Sequence, residues 1–139
     1  MRITPDTNVL VSSIFWRGVS FKILEMAVRE KIEIVLSEEI IGEFINVLNS
    51  EEIVDKVKEK KLELNYAINE IAAFAEIVYP SEKLNVVEED ADDNKILECA
   101  VEGEVDYIVT NGKHLLKIGE FRGIRILTPK NFIEKISNF

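Results

Sequence analysis

Arg2-Ile3-Thr4-Pro5-Asp6 is a short apolar run that stops on a carboxylate, and Asn8 to Phe15 is apolar enough for a helix directly after it. Pro5 has no N–H to give a ladder, so it belongs at the strand end. The same order recurs along the chain. Glu33-Ile34-Val35-Leu36 predicts a buried strand, and Ser37 caps a helix from Glu38 to Leu48. Glu76 to Tyr79, stopped by Pro80, predicts a third strand, Asp106 to Thr110 a fourth and Ile124 to Leu127 a fifth. Helices are predicted over Phe21 to Arg29 behind a Ser20 cap, Ser50 to Lys60, Leu62 to Ala75, and Asp92 to Glu102 ended by Gly103. Thr128 caps a last helix with Pro129 at its first position. Ser81 to Asp90 reads as a surface loop. Strands alternating with helices predict an α/β fold: a three-layer α/β/α sandwich around a parallel sheet of four to five strands.

The 139 residues suit one domain with a real core, so a single unit over 1–139 is expected. An apolar share of 47% with only six glycines and three prolines excludes a disordered or fibrous chain. No apolar run approaches the ~18 residues of a membrane span. No charged head precedes a long apolar stretch, and the lone Cys99 excludes an internal disulfide and a cysteine zinc site. These features predict a cytoplasmic protein. The net charge of −9, from 17 basic and 26 acidic residues, repels phosphates on average. A nucleic-acid role therefore needs local cations or metal ions.

In an open parallel sheet, ligands bind beyond the carboxyl ends of the strands, where strand order reverses. Asp6 stands at such an end, where it serves either the crevice or the cap of the following helix. On a wheel of ~100° per residue, Glu43 flanks the apolar arc of Ile40, Ile41, Phe44, Ile45 and Leu48. Its carboxylate is partly desolvated and needs a partner or a metal, unless it simply reaches solvent. Asp93 falls near the middle of the stripe formed by Ile96, Leu97, Ala100 and Val101, so it faces the core or the crevice. Asp90 and Asp92 fit the blander role of first-turn acids. Three such carboxylates at one end of a sheet repel one another without a cation. Oxygen donors, with no second thiol and a single histidine, suit Mg²⁺ or Mn²⁺ rather than zinc. No Gly-rich phosphate loop and no dinucleotide glycine pattern is present.

The order and spacing of these motifs resemble the PIN-domain ribonucleases, and within them the VapC-like toxins. Asp6-Thr7-Asn8-Val9-Leu10-Val11-Ser12 resembles the family's opening strand and acid, and Phe15-Trp16-Arg17-Gly18 follows it. Ile40 to Phe44 resembles the segment with the second acid, Asp90 to Lys95 the third acidic cluster, and Asp106 to Thr110 and Ile126 to Pro129 the last strands. The resemblance implies a metal-dependent endoribonuclease that hydrolyses RNA phosphodiesters with metal-activated water. It gives Asp6, Glu43 and Asp93 as metal-coordinating acids, with Asp92 as a helper, and Asn8 and Thr110 as groups that order the site. It also implies a toxin–antitoxin setting, a homodimer and a small antitoxin partner.

The chain departs from the family after the fourth strand. A Thr-x-Asp pattern is replaced by Thr110-Asn111-Gly112-Lys113-His114, so Gly112 offers no acid. Asn111 offers a carbonyl oxygen instead, and His114 a phosphate or water contact. Arg17, Lys95 and Lys113 are candidate contacts to an RNA backbone, each of them also explicable as a solvated cation. Trp16 stacks on a base or packs, and Cys99 among apolar neighbours is inert filling. Three rivals stand beside the nuclease reading: an inactive PIN-like scaffold that binds RNA or protein, a receiver-like phosphoacceptor domain, and a phosphatase-like α/β enzyme. The last lacks paired acids one residue apart at the first strand, since Thr4 and Asn8 flank Asp6.

Overall fold

A computed structural model of the chain describes residues 1–60 and 64–137. The elements run β1 (Arg2–Pro5), α1 (Thr7–Phe15), α2 (Val19–Val28), β2 (Glu33–Ser37), α3 (Glu38–Leu48), α4 (Glu51–Lys60), α5 (Leu64–Phe74), β3 (Ala75–Val78), α6 (Ala91–Glu102), β4 (Tyr107–Val109), α7 (Lys113–Ile118), β5 (Glu120–Phe121), β6 (Ile124–Leu127) and α8 (Pro129–Ile136). The expected start of the fifth helix at Leu62 lies outside the described residues.

The strands lie in the order β3-β2-β1-β4-β6-β5. All neighbours are parallel except β5 and β6. The chain builds one half of the sheet outward from β1 to β3, then returns to β1's other side with β4. Strand order therefore reverses between β1 and β4, and a crevice opens there past Pro5 and Val109. Right-handed crossovers put the connections of the two halves on opposite faces of the sheet, which makes three layers. On one side α1 and α2 pack together and α8 joins α2; on the other, α6 lies across β1, β2 and β4. The central strands are accordingly apolar throughout: Ile3, Ile34, Val35, Leu36, Ile108 and Val109 are all buried.

The sheet has six strands rather than four or five. The extra strand, β5, is only two residues long, too short to show a period of its own. Arg122 and Gly123, at φ 49° and 83°, form a two-residue turn with both residues left-handed, which matches the twist of a hairpin. Local chemistry otherwise sets the boundaries as expected. Ser37 accepts from the Ile40 N–H, and Thr128 accepts from the Asn131 N–H ahead of Pro129. The Ser20 cap does not form: α2 starts at Val19 behind Gly18, with no side-chain cap.

The loop from Ser81 to Asp90 is pinned rather than merely connecting. Asn94, buried in the first turns of α6, accepts from Val86 and Val87 N–H, each at 2.9 Å, and donates to Val87 carbonyl at 2.8 Å. Glu98 and Glu102 accept from Leu84 and Ser81 N–H. Val87 is buried as a result.

Candidate functional site

Asp6 follows β1 and caps α1. One carboxylate oxygen accepts from Val9 N–H at 2.9 Å. The other accepts from the hydroxyl of Thr110, which follows β4. The Thr110 hydroxyl in turn accepts from Gly112 N–H at 2.8 Å. Two strands that are adjacent only because the order reverses there thus hold one carboxylate between them. Burial pushes the Asp6 carboxyl above its usual range, against the opposing pull of Thr110 and the backbone N–H groups of Val9 and Asn8.

Asp6 lines a cleft of about 100 Å³ with Thr7, Asn8, Glu43, Asp90, Asp92, Asp93 and Ile96. Glu43 and Asp93 are half-buried, as their wheel positions beside and within apolar stripes require. Both have carboxyls held above the ordinary range. For Glu43 the cause is first burial, then the charge of Asp92, with Asp6 adding to it and Thr7 and Lys95 opposing. For Asp93 it is burial, then Asp90, with Asp6 and Asp92 adding and His114 opposing. Asp90 is the N-cap of α6 and accepts from Asp92 N–H at 3.0 Å. Asp92 is exposed and pairs with Lys95 at 3.3 Å. The Thr7 hydroxyl is fully enclosed and makes no hydrogen bond of normal geometry, although it lies near enough to Glu43 to favour that carboxylate's ionised form.

Five carboxylates therefore meet with incomplete compensation. Among the described residues, no group of three or more Asp, Glu, His or Cys side chains is placed to hold a metal ion directly. The donor chemistry nonetheless fits a hydrated hard cation. Mg²⁺ needs only one or two direct carboxylates and keeps several waters, and the remaining acids suit its hydration shell.

The other candidate contacts singled out in the sequence do not line this cleft. His114 lies in a neighbouring cleft with Val86, Val87, Glu89, Lys117 and Ile118. Lys113 is exposed at the start of α7. The Arg17 guanidinium sits 4.9 Å over the Phe21 ring. Asn111 lines a separate cleft with Trp16. Thr7, Asp90 and Asn94 join the site or its support without having been singled out as site residues. The signal for Asn94 was an amide on the apolar stripe of its helix, since it precedes Leu97 by three residues and Val101 by seven. Size does not select the site. A much roomier cleft, about 660 Å³, lies between α2 and α8, with Lys22, Arg29 and Lys31 in its lining and Glu25 as its one carboxylate side chain.

The doubly wound sheet thus carries these carboxylates at its switch point. The chain belongs to the PIN domain family, whose model matches residues 2–114. That span contains every acid of the cleft. The fold is similar to the crystal structure of VapBC2 from Rickettsia felis bound to a DNA fragment from their promoter. The TM-score is 0.59 at 17% identity, over 91% of this chain and 97% of that chain. No curated protein matches the chain in sequence. No helix among the described residues is long and apolar enough to cross a membrane.

Proposed function

We propose that residues 1–139 act as a single PIN-like domain that hydrolyses RNA phosphodiesters with Mg²⁺ or Mn²⁺, as the toxin of a toxin–antitoxin pair. The observation that carries this reading is the convergence of Asp6, Glu43 and Asp93, from three distant segments, on one cleft whose negative charge is not balanced by protein cations. Membership of the PIN domain family supports the nuclease class. The likeness in fold to VapBC2 supports the toxin setting and a small antitoxin partner that covers the cleft; a homodimer is part of the same proposal, on the family resemblance of the sequence alone.

In this reading Asp6, Glu43 and Asp93 hold the ion and Asp92 assists. A bound divalent ion supplies neutralising charge for the phosphate and lowers the pKa of an attacking water. The protein's own work is positional. Thr110 and the α1 backbone N–H groups hold the Asp6 carboxylate in one orientation. Asn8 stands at the cleft edge, and the Asn94 staple holds the loop against the helix that bears Asp93. Lys95 pairs with Asp92 at the cleft, and Lys113, Arg17 and His114 are the further contacts this reading assigns to the RNA backbone.

A labelled structured RNA incubated with Mn²⁺, with EDTA, and with the Asp6→Asn variant tests the proposal. Cleavage with Mn²⁺ that is lost in the other two arms is expected. Cleavage that persists in EDTA rejects the metal mechanism. A second reading, a PIN scaffold that binds RNA without cutting it, is favoured by Gly112, which offers only its backbone N–H where the resemblance leads one to expect an acid. Tight Mn²⁺ binding with no cleavage of any RNA would establish that reading instead.

A further inference from the structure

A second cleft, of about 310 Å³, opens past the ends of β4 and β6. Its walls include Ser12 and Trp16 at the far end of α1, Ser20 of α2, Asn111 just past β4, and Pro129 and Lys130 just past β6. No acidic residue lines it. In a chain with 26 acidic residues, a cleft with no carboxylate in its lining and with Lys130 at its edge does not repel a polyanion locally. The cleft lies over the same end of the sheet as the acids. Asn111 adjoins Thr110, whose hydroxyl holds Asp6. Ser12 is six residues along α1 from the Asp6 cap, about 9 Å by helix rise.

We propose that this cleft is a nucleobase subsite for one unpaired nucleotide next to the phosphate held at the acidic cleft. The proposal rests on the ribonuclease reading above and names how its substrate is gripped. Trp16 is 44% exposed, unusual for so large an apolar ring, and the Lys56 ammonium lies 4.6 Å over it. Aromatic rings with adjacent cations are the means by which proteins hold single-stranded RNA. A base stacks on the ring in place of the Lys56 ammonium, which then stands beside the nucleotide's phosphate. Lys130, also in the lining, provides a second cation. The exposed Asn111 amide, with one acceptor and two donor hydrogens, pairs with a base edge and gives preference among bases. The hydroxyls of Ser12 and Ser20 reach the 2′-OH, which separates RNA from DNA.

Trp16 is the chain's only tryptophan, so its fluorescence reports on this cleft alone. The experiment titrates the full chain, in EDTA, with single-stranded RNA oligonucleotides of each base, with inorganic polyphosphate and with poly-glutamate. Cleavage of the same oligonucleotides is measured separately with Mn²⁺. Saturable quenching by RNA, but not by the two base-free polyanions, is expected. Asn111→Ala is expected to reduce the ratio of affinities between the best and worst base about 10-fold. Lys130→Ala should lower the salt slope of binding by about 0.7. Trp16→Ala, followed by fluorescence anisotropy of a labelled oligonucleotide, is expected to weaken binding about 5- to 150-fold, and Trp16→Phe to restore most of it.

Cleavage that proceeds without quenching, and with base preference unchanged in Asn111→Ala and Trp16→Ala, overturns the subsite while leaving the nuclease reading intact. Quenching without cleavage upholds the subsite and removes the nuclease reading. Equal quenching by poly-glutamate overturns the subsite in favour of an acidic protein surface. Absence of both cleavage and quenching overturns both proposals.

Discussion

Thr110→Val removes the hydroxyl that ties the end of β4 to Asp6 and keeps a branched side chain of nearly the same shape. Thr110 is fully buried, so no water replaces the lost group without rearrangement. At neutral pH the hydroxyl donates to an ionised carboxylate, a bond worth about 1.5–3 kcal/mol. The Gly112 N–H also loses its acceptor, at about 0.5–1 kcal/mol, since that residue is half-exposed and partly solvated. The expected cost in EDTA is then about 2–4 kcal/mol. In acid the Asp6 carboxyl is protonated, and the same contact becomes a neutral hydrogen bond worth about 1 kcal/mol. The cost should fall to about 1.5–2 kcal/mol. The sign follows from linkage. Thr110 lowers the Asp6 pKa, so the variant's carboxyl titrates higher than that of the unmodified protein. The difference in stability is smallest below both values, grows as pH rises through them, and is flat above. A pH-dependent part of about 1.4 kcal/mol corresponds to one further unit in the Asp6 pKa. Urea unfolding followed by circular dichroism, at several values between about pH 3.5 and pH 8, measures it. A cost that is the same across that range refutes the claim that the hydroxyl acts on the charged form of Asp6.

Three other outcomes are expected. Glu43→Gln and Asp93→Asn should each raise the melting temperature in EDTA at neutral pH. Their carboxyls titrate above the usual range, so ionising them opposes folding at every pH above the folded-state value; the gain should vanish in acid and reverse when Mn²⁺ is added, and a loss of stability in EDTA would contradict it. Asn94→Ala breaks three hydrogen bonds of about 1 kcal/mol each and should cost about 3 kcal/mol in urea unfolding. Fast hydrogen exchange at Val86 and Val87 should accompany it; unchanged protection there would show that the loop is held by something else. Gly103→Ala places a methyl 2.5 Å from Val35 Cγ1, inside a packed core, and should cost about 1–3 kcal/mol, whereas unaltered stability would mean that β2 and α6 separate more easily than their packing implies.

The acids of the cleft were legible because each carries a local signal. Asp6 follows an apolar strand, and Asp93 interrupts an apolar stripe. Glu43 borders one, a weaker mark that Glu38 on the same helix also partly carries. Caps at Ser37 and Thr128 were legible for the same reason, since a cap is decided within four residues. Ser20 misled because Gly18 leaves the chain free to start the helix earlier. Asn111 adjoins a site residue in sequence but faces the neighbouring cleft with Trp16, and no local pattern distinguishes those two directions. Asn94 shows in sequence only as an amide on an apolar stripe, and the fold alone brings the loop it staples over it.

The sequence by itself determined the alternation of strand and helix, the apolar faces, and which carboxylates sit at strand and helix ends. Those depend on periods of two and 3.6 residues and on caps, all interactions within a few positions. Only the tertiary structure decided that β4 lies beside β1, which brings Thr110 to Asp6 across 104 positions of chain. Strand order is set by which non-local pairings bury the most apolar surface together. That competition involves the whole chain at once, so no window of sequence contains it.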